Sequence, residues 1–407
     1  MNLDPAALGR RFGELRMSWL LAIWLAATTA IALNRGISLL WGMVWLLVAA
    51  MVVAWIFPRL QLRGVAVRRS VPAQAVAGEP VEIRYDLESG LWPRYGLELI
   101  DQLGDTNEPV LAAFVDRTRG SDSLLLQWVP PVRGRRVFGD LALKTGFPLG
   151  VSECRRSVAG QAQETIVYPG VVTLRRLPIE GGSDAHVEHA AARVRGGRDE
   201  YLGSRPYRPG DEPRTVNWRG TARSNELVVR EYDRSLERQL WIFLELALNE
   251  HRLHGRDGTF EMMFRIAHSV LLRAQADGVA TGLICRDRGH LLVIQPGLDR
   301  ATVARIRDAL ALVEGDRGLQ LGDWLARERR HLPRGGTWLM FAGDVARRCA
   351  LAERCRERGA VPLVVQFEYE TFHADVDTSG RSARGAHYVD GAWVAPAYRG
   401  MDLRGLF

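Results

Sequence analysis

Two uncharged apolar runs near the N-terminus constrain this chain more than any other feature of its sequence. They cover residues 17–33 and 37–57, and only Asn34, Arg35 and Gly36 separate them. An α-helix rises ~1.5 Å per residue, so about 20 residues cross a hydrocarbon core that is ~30 Å thick. The second run, of 21 residues, is long enough to cross, whereas the first, of 17, barely is. The pair predicts a transmembrane hairpin anchor over residues 1–58.

The residues that flank the two runs predict the orientation of the anchor. A signal peptide followed by a buried helix is the alternative, but no A-x-A-like cleavage site follows the first run. Positively charged residues stay on the cytoplasmic side of short flanks. The connecting loop contains only Arg35, whereas the outer flanks contain Arg10, Arg11, Arg16, Arg59, Arg63, Arg68 and Arg69. Both termini, and the large part of the chain after residue 58, are therefore expected in the cytoplasm.

Arginine supplies nearly all of the positive charge of the chain. The net charge is +7, and Lys144 is the only lysine. We favour a compositional bias of the source organism over a nucleic-acid role as the cause. Lys144 and Thr145 lack the preceding glycines of a P-loop, which argues against a standard ATPase phosphate site. The cysteines form no C-x-x-C pair and predict ordinary buried thiols: Cys154, Cys285, Cys349 and Cys355.

Short strand-like segments follow the anchor. Residues 82–88 alternate polar and apolar side chains, which is typical of a half-buried strand. Turn signals such as Gly78 to Pro80 and Pro130-Pro131 separate further segments of this kind. No helical period of useful length occurs among them. Residues 59–168 are therefore predicted to form a β-sandwich-like domain.

The pattern changes in the second half of the chain. Residues 169–235 are loop-rich. From residue 236 to residue 372, buried-strand runs such as 240–246 alternate with helical periods such as 260–274. This alternation predicts a doubly wound α/β domain with a mostly parallel sheet. The polar, glycine-rich residues 373–407 are expected to form a partly ordered tail.

A dense segment of charged and aromatic residues lies at 207–232. Pro209-Gly210 favours a type II turn, because proline fixes φ and glycine accepts a positive φ, and Asp211 can then accept backbone N–H bonds. Two interpretations remain open. The segment is either a hairpin pinned by Trp218 that joins two domains, or a surface whose arginines bind an anionic group or an acidic partner. Its arginines include Arg208, Arg214, Arg219, Arg223 and Arg230.

This segment resembles the signature of the bacterial family named domain of unknown function 58. The matching positions are, in order, Tyr207, Pro209, Gly210, Asp211, Arg214, Trp218, Ala222 and Arg223, continued by Leu227, Val229 and Arg230. Pro206 departs from the acidic residue that is usual at its position. The layout of a hairpin anchor, a β-rich region and an α/β region is also similar to that of the family.

The resemblance implies a von Willebrand factor type A-like fold for the α/β domain and a place in the bacterial inner (cytoplasmic) membrane. It further implies a MoxR-type AAA+ ATPase, and other membrane or von Willebrand factor type A proteins, as partners. We therefore expect a non-enzymatic, membrane-anchored adaptor or scaffold in the assembly or maturation of envelope protein complexes. The expected contacts to a partner or an anion are Arg214, Arg219, Arg223 and Arg230. The expected structural residues of the signature are Tyr207, Pro209, Gly210, Asp211, Trp218 and Ala222.

A working type A metal site carries the sequence D-x-S-x-S after its first strand, so that carboxylate and hydroxyl oxygens hold Mg²⁺. The corresponding residues here are Glu245, Ala247 and Asn249, which lack both hydroxyls. We therefore expect a degenerate site, with no bound metal and no cofactor.

A basic surface that binds nucleic acid or anionic lipid headgroups is the alternative function. Acidic residues interleave with the arginines of the signature and weigh against a simple electrostatic patch: Asp211, Glu212, Glu226 and Glu231. No nucleic acid is therefore expected as a partner, whereas the lipid bilayer is. A hydrolase lacks support, because no G-x-S-x-G, H-E-x-x-H or Cys–His signature occurs.

Overall fold

The chain folds into two compact units in this computed structural model. The first consists of Met1–Pro130 and Arg135–Val167, and the second of Pro131–Gly134 and Tyr168–Phe407. The structure describes residues 5–103, 109–158, 162–175, 177–179, 200–207, 216–224, 226–233, 239–253, 255–315, 318–373 and 385–407.

Two helices begin the first unit: α1 (Pro5–Arg35) and α2 (Ser38–Leu62). Gly36, with a φ of +62°, lies between them. α2 is long and apolar enough to cross a membrane, and apolar side chains such as Trp45 and Leu46 are exposed along it. The apolar part of α1, Trp19–Arg35, is shorter, so α2 is the one helix among the described residues that is both long and apolar enough to cross. This supports one crossing, and the second crossing of the expected hairpin stays a prediction.

The described strands of the first unit form one seven-stranded sheet, in which β1–β3, β3–β4, β3–β5 and β5–β6 pair antiparallel. Its order is β1-β3-β5-β7-β2, with β4 paired to β3 and β6 paired to β5. β3 and β4 are long and pair along most of their length, so they form the most extensive strand pair of the sheet. The strands are β1 (Ala66–Ser70), β2 (Gln74–Val76), β3 (Val81–Leu103), β4 (Pro109–Trp128), β5 (Gly134–Thr145), β6 (Cys154–Val158) and β7 (Gln163–Tyr168).

The core of this sheet follows the alternation that the sequence predicted. Ile83, Tyr85 and Leu87 are buried, while the residues between them face outward to a greater extent. The core also encloses a polar group: the Asp101 carboxylate accepts hydrogen bonds from the Arg69 guanidinium and the Tyr85 hydroxyl, each at 2.6 Å. Burial raises the pKa of Asp101, while Tyr85 and Arg69 lower it. Arg69, one of the predicted flanking arginines, is therefore an internal partner of this carboxylate.

The second unit contains a two-stranded antiparallel sheet. It consists of β8 (Glu200–Pro206) and β9 (Val228–Asp233), with the short helix α3 (Trp218–Ser224) between them in sequence.

A seven-stranded mixed sheet forms the centre of the second unit. Its order is β12-β11-β10-β13-β14-β16-β15, and only the edge strands β12 and β15 are antiparallel to their neighbours. The strands are β10 (Gln239–Phe243), β11 (Ala280–Asp287), β12 (His290–Gly297), β13 (Thr337–Ala342), β14 (Val361–Phe367), β15 (His387–Val389) and β16 (Ala392–Ala397). The helices are α4 (Thr259–Ala276), α5 (Arg300–Leu312), α6 (Leu321–Arg327) and α7 (Val345–Glu357).

Alternate side chains of β10 supply two separate cores. Leu240 and Ile242 pack in the cluster that contains residues of α4 and α5. Trp241 and Phe243 pack in the cluster that contains residues of α6 and α7. Since successive side chains of a strand point to opposite faces, the helices cover both faces of the sheet. This is the predicted α/β layering.

The C-terminal residues complete the sheet and correct the expected boundary at residue 372. β16 pairs in parallel with β14, and Ala395 and Leu406 are fully buried. The expectation of a partly ordered tail is therefore wrong for residues 385–407, while 374–384 lie outside the described residues. The apolar stretch at 392–398 is short and follows a polar, glycine-rich sequence, so its pairing depends on the distant strand β14 rather than on a local pattern.

Candidate functional site

The signature segment holds its short helix against β9 through side-chain caps. Asn217 is the N-cap residue of α3, and its side-chain oxygen accepts from the backbone N–H of Gly220 at 3.1 Å. The Thr221 hydroxyl oxygen accepts from the N–H of Val228 at 3.1 Å, and the Asn217 N–H donates to the Val228 carbonyl at 2.8 Å. The Tyr207 N–H donates to the Leu227 carbonyl at 2.8 Å. These bonds fix α3 and the two flanking segments as one ordered element.

Large side chains of this element are exposed. Trp218 is 70% exposed, and its neighbour Arg219 is exposed as well. Tyr207 and Leu227, joined by the backbone bond above, are also exposed. We call these four residues the signature surface. The side-chain hydrogen bonds that hold α3 come from Asn217 and Thr221, and the structural role expected for Trp218 stays a prediction.

Other predicted signature residues fall partly outside what the structure describes. Ala222 is exposed on α3. Arg223 lies in α3 and Arg230 in β9, by their backbones alone. Residues outside the described part of the chain are Pro209, Gly210, Asp211 and Arg214.

A cleft of about 200 Å³ lies at the carboxyl edge of the mixed sheet. The parallel strands β10, β13 and β14 all end there, and the order of strands reverses beside β10. Ligands of open α/β sheets bind in the crevice at such a reversal. The residues that line the cleft include Glu245, Glu250, Gln320, Leu321, Gly343, Arg347 and Tyr369.

Glu245 is buried in this cleft and bonded to the backbone. Its two carboxylate oxygens accept from the N–H groups of Ala247 at 3.1 Å and Leu321 at 2.7 Å. Burial raises its pKa to about 7, although both backbone bonds favour the ionised form. The Glu245 carbonyl accepts from His251 Nε2 at 2.8 Å, and burial lowers the pKa of His251 to about 4. His251 is therefore a neutral, buried partner of the residues that follow β10.

Glu250 forms the central ion pair of the cleft. Its carboxylate pairs with the guanidinium of Arg347 and accepts from Gln320 Nε2 at 2.6 Å. Arg347 also lies 3.3 Å from a carboxylate oxygen of Asp344, which caps α7. The Tyr369 hydroxyl donates to the Glu250 carbonyl. Residues that follow three different strands are thus joined in one network.

The cleft does not supply the donor set of a type A metal site. Glu245 is engaged with backbone N–H groups, Ala247 has no donor side chain, and the Asn249 amide lies 3.5 Å from Glu250. Within the described ranges, no group of three or more histidine, cysteine, aspartate or glutamate side chains is arranged to hold a metal. The guanidinium of Arg347 provides a fixed positive charge instead.

Sequence reasoning missed Glu250, Arg347 and Tyr369. A usable signal existed, because each residue follows a predicted parallel strand by a few positions and strand ends of this kind meet at one edge. The pairing itself has no local signal, since Glu250 and Arg347 are far apart in sequence.

Residues 203–367 match the family described as "Protein of unknown function DUF58". This segment is a DUF58 domain. The resemblance predicted from the signature is thereby confirmed. The domain contains the signature surface and every cleft residue named above except Tyr369.

Neither the curated proteins nor the solved structures point to a function for this chain. No curated protein matches the chain. Solved structures that it resembles include two of the CARDB domain of PF1109 from Pyrococcus furiosus. The solution NMR structure has 10% identity and a TM-score of 0.19 and covers 25% of this chain and 93% of that one. The crystal structure, in complex with di-metal ions, has 11% identity and a TM-score of 0.19 and covers 25% and 91%. Likeness at this TM-score supports no conclusion about this protein.

Proposed function

We propose that this DUF58 protein is a non-enzymatic adaptor, anchored in the bacterial cytoplasmic membrane, that docks a partner protein through the signature surface. The observation that carries the proposal is the exposed pair of Trp218 and Arg219 on the capped helix α3. Tryptophan, tyrosine and arginine are the residues most enriched at interface hot spots. A tryptophan kept largely in solvent on an ordered element is a ready contact for another protein.

The carboxyl-edge cleft supports binding over catalysis. Its two glutamates are already committed, Glu245 to backbone N–H groups and Glu250 to Arg347 and Gln320. A general base must be within reach of a proton that it abstracts, and neither carboxylate faces a nucleophilic side chain in the contacts described. The strand order, with β10 central and β12 antiparallel, supports a von Willebrand factor type A-like fold for this sheet.

The proposed partner is a MoxR-type AAA+ ATPase, and the proposed process is the assembly or maturation of envelope protein complexes. Both follow from the family resemblance. α2 supports the membrane anchor by its length and apolar surface. A two-span hairpin with both termini in the cytoplasm, and a sandwich-like arrangement of the first sheet, belong to the same proposal.

Co-purification from membranes tests the docking role. The tagged full chain and a Trp218→Ala/Arg219→Glu variant are extracted in mild detergent, and bound proteins are identified by mass spectrometry. Trp92→Ala is the matched control, because Trp92 is 78% exposed in the first unit. We expect a AAA+ ATPase with the wild type and the control but not with the signature variant. Equal capture by all three, with folding intact, would remove the signature surface from partner binding.

The alternative function, binding of nucleic acid or anionic lipid headgroups, gains no support from the signature surface. That surface is dominated by Tyr207, Trp218 and Leu227, with Arg219 as its described cation.

A further inference from the structure

A cluster of arginines lies at the opposite edge of the mixed sheet from the cleft. One group precedes β13 and the other precedes β14, so both lie at the amino ends of neighbouring parallel strands. They line an open depression of about 1120 Å³. We call this set the basic edge: Arg327, Arg329, Arg330, Arg334, Arg356 and Arg358. Glu328 and Glu357 are the acidic residues that line the same depression, so the arginines exceed the carboxylates by four.

The backbone beneath the basic edge is well tied down. The Gly335 N–H donates to the Arg358 carbonyl at 3.1 Å, and the Val361 N–H donates to the Gly336 carbonyl at 2.9 Å. Both glycines have a φ of +71°, which a residue with a Cβ rarely adopts. Leu332 is buried in the core that contains residues of α6 and α7. The arginines therefore project from two segments that are hydrogen-bonded to each other.

The acidic residues of the depression leave most of this charge unneutralised. Glu357 pairs with Arg329 at 2.8 Å, and Glu328 lies 3.0 Å from His331. Among the described residues, no carboxylate lies within ion-pair distance of Arg327, Arg330, Arg334 or Arg358. Arginine forks are suited to phosphate oxygens, which they bind in a bidentate manner.

The composition of the depression distinguishes between phosphate-bearing partners. Its lining contains arginine, glutamate, histidine, leucine and glycine but no tyrosine, phenylalanine or tryptophan. Proteins that bind single-stranded nucleic acid without sequence preference combine a basic groove with aromatic side chains on which the bases stack. The same chain carries α2, which is long and apolar enough to cross a bilayer. A tethered domain meets the bilayer surface at a high effective concentration, so even a modest attraction is sufficient.

We infer that the basic edge binds the phosphate headgroups of anionic lipids in the bilayer that holds α2. Basic residues close to an anionic leaflet each contribute roughly a fivefold gain in binding. An excess of four charges is therefore sufficient to hold this edge at the surface for most of the time, and the attraction weakens as salt screens it. This contact is independent of partner docking at the signature surface.

Trypsin protection of the full chain in nanodiscs tests this inference. One set of nanodiscs contains phosphatidylcholine alone, and the other is rich in phosphatidylglycerol. Mass spectrometry follows cleavage after Arg329 and Arg330, normalised to cleavage after Arg288, which is exposed in the turn between β11 and β12 at the carboxyl edge. We expect cleavage at the basic edge to be at least about tenfold slower in the anionic discs at low salt and equal in the two discs at high salt.

Charge variants show whether the protection arises at this site. The Arg327→Gln/Arg334→Gln/Arg358→Gln variant keeps both trypsin sites and should lose most of the protection. The control Arg256→Gln/Arg300→Gln/Arg305→Gln removes equal charge from exposed positions elsewhere and should keep it. Equal cleavage in the two kinds of disc, or equal protection in both variants, would overturn the inference. Protection by DNA added to phosphatidylcholine discs, without protection by anionic lipid, would replace it with a nucleic-acid site.

Discussion

Replacing Glu245 with glutamine is expected to remove much of the pH dependence of the stability of the second unit. Glu245 is 8% exposed, and burial raises its pKa from 4.5 to about 7. One pKa unit corresponds to ~1.4 kcal/mol, so ionisation costs the folded state about 3 kcal/mol relative to the unfolded chain. The pKa of Glu245 is higher in the folded than in the unfolded chain. The protonated side chain therefore adds about 3 kcal/mol to the free energy of unfolding below pH 4.5, and this contribution is lost as the pH rises through about 7.

The difference in the free energy of unfolding between the Glu245→Gln variant and the wild type depends on pH. Its amide oxygen can accept from one of the two backbone N–H groups, while its NH₂ group faces the other, at a cost of about 1–3 kcal/mol. It should therefore be less stable than the wild type in mild acid. The difference should shrink or reverse in mild alkali, by about 3 kcal/mol in total, because glutamine does not ionise.

Buried thiols allow this prediction to be measured in the second unit alone. Cys285 and Cys355 are free and fully buried there. Full chain in detergent is incubated in urea, pulsed with a thiol reagent and analysed by mass spectrometry, which gives an unfolding midpoint for each cysteine. Variant and wild type are compared at the same pH, so the pH dependence of thiol reactivity cancels.

Glu314→Gln is the matched control, since Glu314 is an exposed glutamate that pairs with Arg288. Exposed pairs contribute little, so this variant should follow the wild type at every pH. If the Glu245→Gln variant keeps the full pH dependence of the wild type, Glu245 does not titrate near neutrality and the reasoning from its burial is refuted.

Two further substitutions test the polar contacts that organise each unit. Asp101→Asn leaves the buried guanidinium of Arg69 without its counter-charge and should destabilise the first unit by about 3–5 kcal/mol. The measurement is the urea midpoint for labelling of Cys154, which should fall; an unchanged midpoint would mean that the ion pair is dispensable. Asn217→Ala removes the N-cap of α3 and should weaken that helix by about 1 kcal/mol, seen as faster amide exchange in residues 218–224, whereas Asn217→Asp, which retains a capping oxygen, should preserve the protection.

Local patterns were sufficient to predict some elements of the second unit, such as α4 and β10. The apolar period from Phe260 to Ala274 matches α4, because a helix that packs on a sheet must bury one stripe of side chains. Runs such as 240–246 indicated a buried strand, because a parallel strand that is covered on both faces is apolar along nearly its whole length. The signature likewise identified the family, since its residues are close together in the chain.

Contacts between distant segments could not be predicted in this way. Arg133, which is buried in the second unit, lies on the ring of Phe264. Its guanidinium donates to the carbonyls of Leu310 and Val313 at the end of α5, at 3.1 and 2.9 Å. A helix end needs partners for its last carbonyls, but nothing local specifies which residue supplies them. The pairing of β16 with β14 was missed for the same reason.

The internal ion pair of the cleft bears on where a partner can bind. Glu250 is buried, and a buried carboxylate is tolerated only with compensating contacts, which Arg347 and Gln320 supply. A ligand that entered the cleft to bind either group would have to separate a buried ion pair, and such separation is strongly unfavourable. Trp218 and Arg219 require no such rearrangement, because they are already exposed. The energetic difference between these two surfaces favours the signature surface as the place where a protein partner docks.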